Sequence, residues 1–262
     1  MTRTATAGLR VAFLIGQRNV LNVFRIPGNV ITVIGLPVLV LIVFGGAFSR
    51  LSVVAGYPPG DPLGWVTPFA VVVGAAFAGL GSAYDVARDV PAGFMDRLLA
   101  SPAARGALVT GEVIGTIGRA WMQLAAVLVI ALPFGVGLHG MAGAIPLLML
   151  ASAGVATWSA LWALAVLYRL PSAQSIGLVT IGILLVSMLS TGQVPARYQE
   201  PWLAAIARVN PMTPVLTMSR QGFLGPVTWS HTWPGLVALA AAAAVLTPAT
   251  WLSLRRLGGG AR

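Results

Sequence analysis

The side chains that most often perform catalysis or hold metals are scarce in this sequence. It has no cysteine and no lysine, so a thiolate nucleophile, a lysine Schiff base and a phosphate-binding loop with its lysine are all excluded. Its two histidines, His139 and His231, have no Gly-x-Ser-x-Gly motif beside which either could activate a serine. We therefore expect a chain that is no enzyme by itself and that holds no catalytic residue, metal or cofactor.

The composition indicates a lipid environment for whatever elements position the remaining polar residues. Hydrophobic residues make up 57% of the 262 residues and charged residues only 8%, against roughly 25% charged in soluble domains. The formal net charge is +10, and all sixteen basic residues are arginines. These arginines are scattered rather than gathered into a patch with stacking aromatics, so membrane lipids are expected as partners and nucleic acid is not.

Six charge-free runs indicate six transmembrane helices, because about 20 apolar residues in a helix cross a bilayer core of ~30 Å. Period-2 alternation is missing, so we predict an all-α integral membrane protein with one transmembrane domain over residues 1–262. The runs are Ile26 to Ser49, Pro62 to Tyr84, Ala120 to Leu138, a stretch within Gly140 to Tyr168, a stretch within Leu170 to Ala196, and Trp233 to Leu254.

The arginines also predict how the chain is oriented in the membrane. With six spans, twelve arginines fall on the side of the two termini and four on the other, namely Arg50, Arg197, Arg208 and Arg220. Cytoplasmic loops carry the excess of basic residues. We therefore expect a multi-pass protein of the plasma membrane with both termini in the cytoplasm.

Residues 1–25, before the first run, have the pattern of an interfacial elbow helix. Arg3, Arg10, Arg18 and Arg25 fall within about an 80° arc at 100° per residue, with apolar side chains opposite them. Such a helix lies in the cytoplasmic interface with its arginines among lipid headgroups. The simpler alternative is a positively charged anchor. The opposite, apolar side is formed by Leu9, Phe13, Val20, Val23 and Phe24.

The longest cytoplasmic loop, residues 85–116, contains a segment that can form two helical turns. Chain-breaking residues precede it, and Ser101-Pro102 ends it. A short amphipathic helix of this kind can dock into a groove on a soluble partner; a solvated connector is the alternative. The segment consists of Phe94, Met95, Asp96, Arg97, Leu98 and Leu99.

The outer stretch, residues 193–232, predicts a re-entrant helical hairpin. Apolar residues recur from Trp202 at helical spacing, Asn210-Pro211 breaks the run, and Pro214 precedes a second apolar stretch. Two half-helices dipping into the outer leaflet fit this pattern if protein covers their broken backbone. An amphipathic pair resting on the outer surface is the alternative.

Few polar or aromatic residues lie inside the runs. Trp158, Trp162, Met188 and Gln193 are candidates to line a path for an amphiphile, although such residues also serve helix packing. Glu112 and Arg119 lie in a polar extension before the third run, where we expect Arg119 to extend to the interface.

Two strings carry a resemblance to a known family: Gly93-Phe94-Met95-Asp96-Arg97-Leu98-Leu99-Ala100-Ser101-Pro102, and Asn210-Pro211-Met212-Thr213-Pro214 with Arg220 after it. With the order of parts, they resemble the permease subunits of type-2 ABC exporters, most of all the actinobacterial daunorubicin/doxorubicin-resistance permeases. Where that family commonly has Gly-Thr-x-Glu-Arg, this chain keeps the Asp96-Arg97 charge pair but lacks the threonine.

The resemblance implies export of drugs, antibiotics or lipids, with residues 94–99 acting as a coupling helix. It also implies a complex with a dimer of ATP-binding subunits, which bind the ATP and Mg²⁺, and with a second permease as a homodimer or heterodimer. The alternative is an ion-coupled secondary transporter or a channel. That class normally keeps ionisable groups inside the bilayer, and the six runs contain none.

Overall fold

The structure, a computed structural model, describes residues 2–25, 27–48, 62–89, 105–137 and 141–257. All of the regular structure in these ranges is helical, which confirms the predicted all-α class for them. Besides a 3₁₀ turn at Ala196–Tyr198, these ranges contain nine α-helices: α1 (Thr2–Arg25), α2 (Pro27–Phe48), α3 (Pro62–Asp89), α4 (Arg105–Ala131), α5 (Met141–Leu167), α6 (Ser175–Met188), α7 (Pro201–Val209), α8 (Met212–Ser219) and α9 (Trp229–Leu257).

Four of the described helices, α3, α4, α5 and α9, are long and apolar enough to cross a membrane. Their apolar spans of 25 to 28 residues are about 38–42 Å long at ~1.5 Å per residue. Helix α6 has 14 residues, hence about 21 Å, which is less than a hydrocarbon core of ~30 Å. The predicted first and fifth spans correspond to α2, whose apolar part is Val33–Ala47, and to α6.

Helix α3 is the most deeply buried of the four long helices. Its small residues let neighbouring backbones approach closely, as expected where helices associate in lipid. A Cβ atom at Gly79 would lie 2.6 Å from the carbonyl carbon of Ser159 on α5, and Ser159 Oγ donates a hydrogen bond to Ala75 O at 3.3 Å. The α3–α5 pair therefore forms the centre of the bundle.

Helix α9 packs along one side of this centre and leaves most of its own surface exposed. It contacts α5 through Thr250 Oγ1, which donates to Leu161 O at 2.8 Å. On its outward side Val237 and Val245 are 55% and 69% exposed. An apolar surface of this kind costs nothing in hydrocarbon, which agrees with a membrane setting.

Helix α1 packs against the first half of α4 through small residues rather than through its large apolar ones. Ala12, Gly16, Asn19 and Val23 are buried, and Gly115 of α4 lies directly against Asn19. Of the apolar side predicted from the sequence, Val23 is buried, but Leu9, Phe13 and Phe24 remain more than 60% exposed. Helical periodicity identifies an apolar side without identifying which side meets protein, and here close approach of glycines decides the contact.

Candidate functional site

A buried polar cluster joins the last two turns of α3 to the middle of α4. Arg119 is only 3% exposed, and its Nη1 atom lies 3.3 Å from Asp85 Oδ2. Its Nη2 atom donates hydrogen bonds to Ser82 Oγ and to Thr116 Oγ1, both at 3.1 Å. The two hydroxyls are themselves 2.9 Å apart. The guanidinium is thus held by one carboxylate and two hydroxyls, as a buried cation requires.

The position of Arg119 corrects the expectation that it extends to the membrane interface. Its counter-ion is on a neighbouring helix, 34 residues earlier in the chain. Gly81 makes room for it, since a Cβ atom there would lie 2.6 Å from Arg119 Cζ. A low-dielectric interior strengthens the attraction between opposite charges, so the guanidinium lies between the helices rather than among headgroups.

The same carboxylate begins a line of alternating charges that reaches α1. Arg88 Nη2 lies 2.9 Å from Asp85 Oδ1, and Arg88 Nε lies 3.3 Å from Asp89 Oδ1. Arg18 Nη2 on α1 lies 2.8 Å from Asp89 Oδ2. We call the series Arg18–Asp89–Arg88–Asp85–Arg119 the charge line. It fastens α1, α3 and α4 to one another.

Glu112 lies in the same region but is held less completely. Its residue is 7% exposed, and no described residue donates a hydrogen bond to its Oε2 atom. The buried amide of Asn19 on α1 has no hydrogen-bond partner in the described part of the chain either. The three arginines of the charge line and the three carboxylates Asp85, Asp89 and Glu112 have a net charge of zero when all six are ionised. If Glu112 bound a proton, the net charge of this cluster would become +1.

The predicted coupling segment lies outside the described residues. It comprises Phe94, Met95, Asp96, Arg97, Leu98 and Leu99. The structure does describe both flanks, since α3 ends at Asp89 and α4 begins at Arg105. Of the predicted elbow arginines, Arg18 belongs to the charge line, whereas Arg10 and Arg25 are exposed.

The predicted outer hairpin corresponds to α7 and α8, which Asn210 connects to the end of α6. Asn210 Nδ2 donates to Val186 O and Leu189 O, each at 2.8 Å, and its Oδ1 atom accepts from Met212 N at 2.8 Å. Pro211 then leads into α8, where an early proline costs no helix hydrogen bond. The Asn210 side chain therefore forms hydrogen bonds with two main-chain carbonyls at the end of α6 and with one main-chain N–H at the start of α8.

A second buried cation, Arg220, follows α8 and contacts the start of α3. Its guanidinium carbon lies 3.5 Å from the ring centre of Trp65, and the residue is 4% exposed. It donates to Thr191 O at 3.0 Å and Gly192 O at 2.6 Å, and Trp65 Nε1 also donates to Gly192 O at 3.1 Å. Arg220 thus holds the turn after α6 against α3 through carbonyl oxygens and a cation–π contact.

The candidate path residues occupy separate surroundings. Trp158 lines a small apolar groove of about 20 Å³ together with Pro211, whereas Trp162 packs against Gly182 on α6. Gln193 Nε2 lies 3.0 Å from Met188 Sδ. Among the outer residues, Trp202 is 62% exposed and Pro214 is half-buried within α8.

The sequence analysis identified several of these polar residues, but it did not identify the residues that they contact. Asp85 and Arg119 stand near the ends of apolar runs, and such isolated charges are a usable signal for a buried pair. Trp65 resembles an ordinary interfacial tryptophan until Arg220 is placed against it. Within the described ranges no group of three His, Asp or Glu side chains could hold a metal ion.

Comparison with known proteins agrees with this helical membrane architecture. The profile of the ABC-2 type transporter family matches residues 10–224, which include most of α1, all of α2 to α8 and both buried arginines. No curated protein matches the chain significantly. Because the matched range covers most of the 262 residues, this chain belongs to the ABC-2 type transporter family, the membrane permease components of ABC transporters.

Proposed function

We propose that this chain is the permease subunit of an ATP-driven exporter for hydrophobic or amphiphilic compounds such as drugs, antibiotics or lipids. Family membership implies an ATP-binding partner subunit. Since the chain lacks lysine altogether, ATP and Mg²⁺ bind on that partner. In this proposal two permeases, identical or different, assemble with two ATP-binding subunits in the plasma membrane, with both permease termini in the cytoplasm.

The observation that supports this proposal best is the charge line. It joins α3 and α4, which flank residues 90–104, and it continues to α1 through the 2.8 Å pair between Arg18 and Asp89. A partner that moves residues 94–99 would therefore move α3, α4 and α1 as one unit. Two separately mobile helices would absorb such a movement instead of passing it on.

Burial makes this connection stiff on the α4 side. The Asp85 and Arg119 side chains are 10% and 4% exposed, so water cannot readily replace either partner. A surface pair would contribute about 0–1 kcal/mol and could exchange with solvent, whereas separating a buried pair strands a charge. A rigid connection of this kind is what a permease without its own ATPase needs.

Transport by membrane vesicles tests the proposal. Inside-out vesicles that contain the chain together with its co-expressed ATP-binding subunit should accumulate daunorubicin or a fluorescent phospholipid when ATP and Mg²⁺ are added. Phe94→Ala should abolish this uptake, while Phe134→Ala, which removes a 72% exposed phenylalanine elsewhere, should preserve it. Equal uptake by the two variants at equal abundance would show that the coupling assignment is wrong.

Buried carboxylates give the ion-coupled carrier a specific supporting observation. Asp85 and Glu112 are each 7% exposed, and intramembrane carboxylates commonly bind protons or cations in carriers. The same vesicles separate the two functions. Uptake driven by a proton gradient without ATP, and lost in Glu112→Gln, would favour the carrier; uptake that needs ATP and persists without a proton gradient favours the exporter.

A further inference from the structure

A cavity of about 410 Å³ lies between the start of α3, the turn after α6, α8 and the connection that leads into α9. Its size falls within the usual range of small-molecule sites, roughly 300–1,000 Å³. It is distinct from the groove at Trp158. Side chains with hydrogen-bonding groups on its wall include Thr213, Thr217, Gln221, Thr228 and His231.

The threonines of α8 present acceptors to this cavity. Thr213 Oγ1 donates its only proton to Ala207 O at 2.7 Å, and Thr217 Oγ1 donates to Thr213 O at 3.1 Å. A hydroxyl has one donor and two acceptor lone pairs. With their protons used within the protein, both hydroxyls can only accept hydrogen bonds from a bound molecule.

The hydroxyl proton of Thr228 is also used within the protein. Thr228 Oγ1 lies 3.4 Å from Gln221 Oε1 and 2.8 Å from His231 Nδ1. Because its single proton goes to one of these two acceptors, the hydroxyl offers no donor to a bound molecule. Gln221 is occupied too, since its amide nitrogen donates to Thr232 Oγ1 at 3.0 Å.

A wall rich in acceptors selects a ligand that brings donors. Hydroxyl groups supply them, whereas ionised phosphate and carboxylate groups supply none. Arg220, also on the wall, donates to three main-chain oxygens. The remaining wall is largely apolar, with Leu224 and the ring of Trp65 among its surfaces.

The helix that carries the two threonines also faces apolar surroundings. Met212 and Val215 of α8 line the small groove that includes Trp158, while Thr213 and Thr217 line the cavity. Residues four apart share one face of a helix, so α8 separates a polar compartment from an apolar one. A molecule with one hydroxylated end and one apolar end matches this division.

We infer that the cavity binds the uncharged, hydroxyl-bearing end of the exported amphiphile, such as a sugar group. This inference rests on the proposed export function and adds to it the chemical class of the substrate's polar end.

Photolabelling of the purified permease in nanodiscs tests the inference. The probe is dodecyl maltoside with a diazirine in its alkyl chain, compared with dodecyl phosphate carrying the same diazirine. We expect the maltoside to label peptides of α8 and of the connection into α9, and the phosphate to label them at least fivefold less. Equal labelling by the two probes would overturn the inference.

Gly225 offers a cavity-filling variant that does not disturb packing. A Cβ atom there meets no atom within 4 Å, and the glycine has no positive φ angle. Gly225→Phe should lower maltoside labelling at least fivefold. The matched control is Gly177→Phe on α6, where a Cβ atom also meets open space and which does not line the cavity; it should label as the unmodified chain does.

Thr217→Val examines the acceptor argument directly. Removing one hydrogen bond of ordinary net strength should reduce maltoside labelling roughly three- to tenfold. Labelling needs neither ATP nor the partner subunit, so it tests the cavity inference separately from the proposed export function. Labelled chain without ATP-driven export contradicts the export proposal alone, and export with labelling unaffected by Gly225→Phe contradicts this inference alone.

Discussion

Arg119 and Asp85 form an ion pair with almost no access to water, but the two residues have different sets of partners. Arg119 holds three side chains, Asp85, Ser82 and Thr116, whereas Asp85 also contacts Arg88. In such a setting the loss of one partner strands a charge, and the loss of both charges is tolerated far better.

This asymmetry predicts the stability of the variants. Asp85→Asn should destabilise the purified permease by roughly 3–5 kcal/mol because Arg119 is left buried without the carboxylate it pairs with, whereas Arg119→Gln leaves Asp85 paired with Arg88. The double variant Arg119→Gln with Asp85→Asn should recover much of that loss. Thermal unfolding in detergent, followed by tryptophan fluorescence, measures both. A double variant as unstable as the sum of the single variants would contradict the direct pair.

Gly192 is the tightest contact of the turn that Arg220 holds. A Cβ atom there would overlap the buried ring of Phe69 on α3. We expect Gly192→Ala to lower stability by roughly 1–3 kcal/mol, the usual cost of overfilling a packed core. Gly177→Ala serves as the control, since its Cβ atom enters open space and its melting temperature should not fall. Equal melting temperatures for the two variants would refute the close contact.

At the level of elements, the charge line joins α1 to α3 and α4, so the proposed coupling mechanism makes α1 part of the unit that the partner moves. Arg18 of α1 is 31% exposed in its side chain and lies 2.8 Å from Asp89, the last residue of α3. A partly exposed pair contributes less to stability than a buried one, and Asp89 keeps Arg88 as a partner when Arg18 is replaced. Its loss should therefore affect movement more than folding.

The variant Arg18→Gln should keep the abundance and melting temperature of the permease but lower the amount of daunorubicin exported per ATP hydrolysed. The physical reason is that α1 would no longer follow the end of α3. Arg10→Gln is the matched control, because Arg10 is on the same helix, exposed, and has no ion pair with a described residue. If both variants export with equal efficiency, α1 is only an anchor.

Asn210 plays the corresponding role for the outer helices. It makes three hydrogen bonds that join the end of α6 to the start of α8. At about 0.5–1.5 kcal/mol each, their loss in Asn210→Ala should cost roughly 2–4 kcal/mol. Limited proteolysis should then cut near α7 sooner than in Gln174→Ala, the control, which removes an exposed amide side chain that does not cap its helix. Unchanged cleavage would show that α7 and α8 are held by packing alone.

At the scale of the whole molecule, the asymmetric arginines predict which end faces the cytoplasm. The chain has no cysteine, so single cysteines can report on accessibility without background. Gln174 and Ser230 are exposed residues at opposite ends of the bundle in the six-span topology. A membrane-impermeant maleimide should label Ser230→Cys in intact cells and Gln174→Cys only after permeabilisation. Labelling of Gln174→Cys in intact cells would reverse the orientation.

The class of the protein and much of its division into helices could be predicted from the amino-acid sequence. Long charge-free runs predict membrane helices because unpaired backbone groups are too costly in lipid for other structures. Local signals also mark several boundaries: Pro62 begins α3, and Asn210-Pro211 separates α7 from α8. The family resemblance was equally accessible, and the match over residues 10–224 confirms it at the level of the ABC-2 type transporters.

The contacts between polar residues on different helices could not be predicted from the sequence and are set by the fold. Arg119 and Asp85 are 34 residues apart, Arg18 and Asp89 71 apart, and Arg220 and Trp65 155 apart. Helical spacing orders neighbours within a turn or two, so it carries no information about partners on other helices. The buried face of α1 depended in the same way on glycines of α4. The charge line and the cavity beside α8 exist because helix packing brings these distant residues together.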